Sequence, residues 1–159
     1  MEMRLADQLR RSAVLTFEEL AFVFVELEPD DAQVAAPFEA GARVAFDGPL
    51  CGWLSIRLYG GLLATLTRNM LPELDESSRA MGADTLKEIA NVICGNLLPA
   101  VAGAEAVFDL HPPESDDVEI PAPGSPEPAA VVVIGLEDGR AELSLYLEGD
   151  ASKTEGEVR

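Results

Sequence analysis

The stretch DTLKEIANVICGN, residues 84–96, decides how the chain is read. On a wheel of about 100° per residue, Leu86, Ile89, Ala90, Ile93 and Leu97 share an arc of roughly 100°, the width of a core-facing stripe. Asp84, Glu88, Asn91 and Gly95 gather on the opposite side, within about 60° of one another. Asn91 is a mediocre helix former because its amide competes for nearby backbone groups. Gly95 costs about 1 kcal/mol against Ala in a helix interior, yet it lets another backbone or a bulky group come close. Two poor helix formers on one outward stripe predict a helix that packs through one side and meets a partner through the other, since local rules are broken where function intervenes.

Upstream, RLADQLRRSAVLTFEELAFVFVELE keeps approximate helical spacing through Leu5, Leu9, Val14, Leu15, Leu20, Phe24 and Leu27. It predicts one long helix over 4–28, broken by PDD, although AFVFVEL is as rich in β-branched and aromatic residues as a strand. ARVAFDGPLCGWLSIRLYGG predicts a hairpin turning at Asp47–Gly48–Pro49, with Trp53, Ser55 and Arg57 alternating against Leu54, Ile56 and Leu58. LLATLTRNMLPEL reads as a short helix, and PELDESSRAMG carries the loop and cap signals that open the signature helix near 78–83. A short strand in AEAVFDLHPP comes next. The acidic, Pro-rich loop at 112–129 follows, expected to be exposed and mobile because its composition builds no core. AAVVVIGLEDGRAELSLYLEG is a second hairpin, turning at Glu137–Asp138–Gly139. The order predicts an α+β fold: a mainly antiparallel sheet of two hairpins plus a strand, with helices packed on it. The reading is a single domain over 1–148 and a disordered tail over 149–159.

At 159 residues, with 48 % apolar and 25 % charged residues, the chain has a globular balance. Its 29 acidic against 11 basic residues give a net charge of -18. That argues against a nucleic-acid backbone or an anionic membrane as partner and favours basic or metal-bearing surfaces, although acidity of this kind also serves solubility alone. The N-terminal MEMRLADQLRRSAVL lacks the pattern of a signal peptide, and no apolar run approaches a membrane span. Cys51 and Cys94 have neither metal nor redox spacing and are expected as buried thiols in a reducing compartment. The expected location is the cytoplasm.

A carboxylate and a carboxamide at i and i+3, without a nucleophile and its base, and with one carboxylate too few for a metal site, leave a narrower chemistry. A carboxamide holds a water by donating and accepting at once. In phosphoryl transfer, orienting the attacking water is much of the catalysis. The neighbouring carboxylate can grip a cation on the partner by a charge-assisted hydrogen bond.

The same residues resemble the signature of the CheC/CheX/FliY chemotaxis phosphatases: Asp or Ser, then Glu four residues on, Asn three further, and Gly four beyond that. Asp84, Glu88, Asn91 and Gly95 all match. Asn96 after the Gly is also common in CheX-like sequences, and Pro112 and Pro113 fall close to the family's later Pro. The element order resembles CheX-like proteins over most of residues 5–147. The resemblance implies a phosphatase for the aspartyl phosphate of a CheY-type response regulator. In it Asn91 would orient the in-line water and Glu88 would pair with the receiver's active-site lysine. Asp84, Glu88 and Gly95 would form the docking stripe. It implies no metal or cofactor of its own, Mg²⁺ being carried by the phosphorylated receiver. CheC-like proteins carry two signatures, whereas TFEELAFVF offers Glu18 and Glu19 but no Asn. One site per chain resembles CheX, whose relatives often form homodimers.

Plainer readings stand beside this one. Glu-x-x-Asn alone is often a solvated helix face, Gly95 can pack against a neighbouring helix, and Asp84 can serve the helix N-terminus by charge–dipole attraction. His111 reads as a loop or strand-end residue, and Trp53 as core or dimer interface. Asp116, Asp117 and Glu119 read as a solvated acidic loop before a weak cation sensor. The same scaffold can also serve assembly, as in the flagellar-switch domains, binding a receiver or signalling partner without turnover.

Overall fold

The computed structural model describes residues 4–71 and 79–148, so the expected tail over 149–159 and most of the PELDESSRAMG cap region lie outside the described residues. The elements are α1 (Leu5–Glu19), β1 (Val25–Glu26), α2 (Asp31–Ala35), β2 (Phe38–Asp47), β3 (Gly52–Tyr59) and α3 (Leu63–Met70). They continue with α4 (Arg79–Ala102), β4 (Asp109–Leu110), β5 (Glu114–Ser115), β6 (Ala130–Leu136) and β7 (Gly139–Leu147).

The two expected hairpins, β2–β3 and β6–β7, pair with each other through β3 and β7, with Leu54 opposite Leu145 and Ile56 opposite Leu143. The resulting antiparallel sheet runs β1-β6-β7-β3-β2-β4, and β5 joins β2 beside β4. Helices cover one face: α4 lies over β2, α1 over β6, and α3 packs on α4. The alternation of β3 fixes this arrangement. Leu54, Ile56 and Leu58 are fully buried in one cluster with Leu9, Phe17, Leu86, Ile89, Ile93 and Leu97. Each such side chain contributes about 1.5–3 kcal/mol by leaving water, so the apolar arc of α4 anchors that helix firmly.

The long helix expected over 4–28 is not one helix. It stops at Glu19, and Val23 N–H turns back to donate to Phe17 O at 3.2 Å. Phe22 sits at φ 55, outside any right-handed helix. The strand-like character of AFVFVEL wins beyond that point, and Val25–Glu26 pairs with Leu136–Gly135 at the sheet edge.

The acidic Pro-rich loop is largely exposed, as its composition requires, but its first half is tied to the sheet rather than loose. Glu114–Ser115 pairs with β2, and Asp116 N–H donates to Gly41 O at 2.8 Å. Gly41 N–H donates to Asp117 Oδ1 at 2.9 Å, and Arg57 Nε donates to Val118 O at 2.9 Å. A side chain at Gly41 would collide with the Asp116 carbonyl, so only glycine allows the strap this close.

One cysteine departs from expectation, while the histidine keeps to its expected strand end. Cys94 is buried but Cys51 is only half-buried. His111 lies at the end of β4, where its Nε2 is 2.5 Å from Asp47 Oδ2; that hydrogen bond holds the Asp47 carboxyl below its ordinary value.

Candidate functional site

Helix α4 splits along its length as its periodicity requires. Leu86, Ile89, Ala90, Ile93 and Leu97 are buried against the sheet and α1, while Asp84, Glu88 and Gly95 are exposed and Asn91 is half-buried. The structure therefore brings all four signature residues onto one accessible stripe. It holds them there by the core contacts of the same helix, so the stripe has little freedom to tilt.

Each position has its own surroundings. Asp84 Oδ1 lies 3.6 Å from Lys87 Nζ, an exposed i,i+3 pair worth about 0.2–0.5 kcal/mol. Asp84 stands five residues inside the described span of α4, Arg79–Ala102, beyond the reach of the helix N-terminus. Glu88, one turn on, has no ion pair among the described residues and is open to a cation from outside. Among the described residues the Asn91 carboxamide has no hydrogen-bond partner, leaving both its donor and its acceptor for a ligand. Gly95 settles the packing question raised by the sequence: a Cβ built there meets nothing within 4 Å. At Gly82 of the same helix the added atom would lie 3.2 Å from Leu63 Cβ. Gly82 is the packing glycine; Gly95 faces outward.

The sequence did not single out the residues that flank this stripe. Met70 and Leu71 at the end of α3, with Met81 and Thr85 of α4, line an open depression of about 380 Å³ beside Asp84 and Glu88. Thr67 Oγ1 donates to Thr85 Oγ1 at 3.1 Å in a buried contact that fixes α3 against α4. LLATLTRNMLPEL reads from sequence only as a short helix, and no local signal ties it to the signature helix. Among the described residues no group of three His, Cys, Asp or Glu side chains converges as a metal ion would require. No described helix is long and apolar enough to cross a membrane.

An antiparallel sheet backed by helices, one of which presents this stripe to solvent, defines a CheC/CheX-type α+β domain. The family model for the chemotaxis phosphatase CheX matches residues 40–120, which include the whole signature helix and the strap. The chain belongs to that family. Its fold is similar to that of chemotaxis protein CheX from Vibrio vulnificus, with TM-score 0.68, 17% identity, and 91% of this chain covering 97% of that one. It is similar too to the CheX-CheY-BeF3-Mg²⁺ complex structure from Borrelia burgdorferi, with TM-score 0.67, 18% identity, and 92% of this chain covering 99% of that one. The FliM middle domain from H. pylori shares the fold more distantly, with TM-score 0.53, 12% identity, and coverage of 92% and 90%. No curated protein matches the sequence.

Proposed function

We propose that this protein is a phosphatase acting on the aspartyl phosphate of a CheY-type response regulator. The observation that carries the reading is a carboxamide, Asn91, and a carboxylate, Glu88, both without a partner among the described residues, side by side on the outward stripe of a helix whose other side is locked in the core. Family membership supports the phosphatase class. The similar fold in a complex of CheX with CheY supports the kind of partner.

In this reading the receiver docks over α4 with its phosphorylated aspartate above Asn91. The receiver supplies Mg²⁺, which would neutralise charge on the phosphoryl oxygens. Asn91 accepts a hydrogen bond from a water through its carbonyl oxygen and donates one through its amide, so that the water's lone pair points along the line of attack. That water's oxygen bonds to phosphorus as the bond to the aspartyl oxygen breaks. The products are inorganic phosphate and the free carboxylate. Glu88 takes the receiver's lysine in a charge-assisted hydrogen bond, fixing the register of docking. Gly95 removes the side chain that would hold the partner's backbone away.

The test is phosphate release from acyl-phosphorylated receivers of the same organism, with wild type and Asn91→Ala side by side. Wild type should accelerate release from at least one receiver. Removing one oriented polar group should cost about 10²–10³-fold in rate while binding persists. Tight binding with no acceleration would instead point to a non-catalytic receiver-binding module.

A further inference from the structure

The side chains of Trp53, Ser55 and Arg57 point to the sheet face opposite the helices. There, with Arg43 of β2 and Tyr146 of β7, they floor a cavity of about 240 Å³. Its other wall is the strap, through Asp116 and Val118, with Pro121 and Ala122 just beyond it. The cavity lies on the other side of the sheet from α4, and the proposed phosphatase chemistry makes no use of it.

Two polar groups at this floor, and a third beside it, are more deeply buried than their hydrogen bonds explain. Arg57 is 9% exposed; its Nε is engaged by Val118 O, while its terminal nitrogens have no acceptor and no carboxylate among the described residues. Ser55 and Ser144, at 4% and 5%, stand directly opposite each other in the β3–β7 ladder, and neither hydroxyl has a partner among the described residues. A guanidinium taken out of water without a counter-charge is costly, and buried polar groups are normally paired.

The chain is rich in acidic residues, yet among the described residues no carboxylate pairs with this cation. Glu142, opposite Arg57 in the ladder, accepts a hydrogen bond from Arg140 Nε at 2.9 Å. Asp116 lines the cavity but pairs with neither guanidinium. Beside Arg57 the second guanidinium, Arg43, lies 4.8 Å from the centroid of the Trp53 ring, and that ring stacks on Tyr146 at 4.6 Å. Two arginines thus converge on one cavity, Arg43 over the Trp53 ring and Arg57 at the floor beside it.

We propose that this cavity is a binding site for a small oxyanion, a molecule whose carboxylate or phosphate group is held by Arg57 and Ser55. Arg43 adds charge, and Val118, Pro121 and Ala122 cover the molecule's apolar body. Planar guanidinium matches such groups with two parallel hydrogen bonds. A volume of 240 Å³ is about eight waters' worth, room for a group of single-ring size.

Trp53 is the only tryptophan in the chain, so its fluorescence reports on this cavity. The full chain is titrated at matched ionic strength with inorganic phosphate, with benzoate and with the cation benzylamine, and calorimetry runs in parallel. A saturable response to either anion and none to benzylamine is expected; which anion saturates identifies the head group. Arg57→Gln should weaken binding at least tenfold, the loss of a hydrogen bond to a charged group. Circular dichroism checks that this variant folds. The smaller change Ser55→Ala should weaken binding several-fold and serves if Arg57→Gln does not fold. Absence of saturation with both anions, an equal response to benzylamine, or unchanged affinity in the folded variants overturns the proposal.

Discussion

The hydroxyl of Thr67 donates to the hydroxyl of Thr85 at 3.1 Å, and both side chains are buried. Thr85 lies three residues before Glu88 on the same helix, so this one bond sets where α3 stands beside the signature stripe. Replacing either residue by Val leaves the other hydroxyl buried without its partner and should cost about 1–3 kcal/mol in denaturant titrations. The double substitution Thr67→Val with Thr85→Val removes both groups and keeps the shape. It should recover most of that loss, and a cycle in which the two penalties simply add would contradict a direct bond.

Gly95 offers a separation of stability from function. Its outward Cβ position is empty, so Gly95→Ala should stabilise α4 by about 1 kcal/mol, read as a raised Tm. The same methyl group stands where the partner is proposed to approach, so receiver binding should weaken. A variant that is both more stable and equally competent to bind would place the docking surface elsewhere.

Glu88 and Asn91 should fail in different ways. Glu88→Lys sets like charge against the receiver's lysine, so it should weaken docking, and by a smaller factor as salt rises and screens the repulsion. Asn91→Ala should leave the binding constant alone and depress only the rate of phosphate release. Surface plasmon resonance at two salt concentrations, beside the release assay, distinguishes the two.

Burial pushes the Cys94 thiol up to about 12 from an ordinary 9.0. The raised value means that the folded chain keeps a proton that the unfolded chain gives up. The contribution is therefore intact below pH 9 and is lost as pH rises toward 12. Ellman's reagent at pH 8 should titrate the half-buried Cys51 and leave Cys94 silent until the chain is denatured. Substituting Cys94→Ala should flatten the alkaline limb of the stability curve.

The α4 stripe and both hairpins could be read in advance because each depends on a short-range period: 3.6 for Leu86, Ile89 and Ile93, and two for Leu54, Ile56 and Leu58. What could not be read depends on contacts distant in sequence. The end of α1 at Glu19 reflects a strand, Val25–Glu26, whose existence rests on pairing with Leu136 and Gly135 more than a hundred residues later. The depression beside Glu88 joins the end of α3 to α4 across a junction no local pattern reveals. The strap over 114–118 looked like free loop because its composition is that of one, while its main chain is held by the Gly41 backbone and the Arg57 side chain. The cavity beneath it was hidden for the same reason. Arg57 reads from sequence as an ordinary outward strand residue until something is found to cover it.

The way that strap is fastened has an evolutionary side. Besides the ladder pairing of Glu114–Ser115, its ties include the Asp116 amide and the Val118 carbonyl, groups that every non-proline residue carries. Selection can therefore rewrite most of the covering segment, and with it whatever the segment screens, without unfastening it. The veto rests with one position that has no side chain to change: at Gly41 even the smallest addition would pry the cover loose.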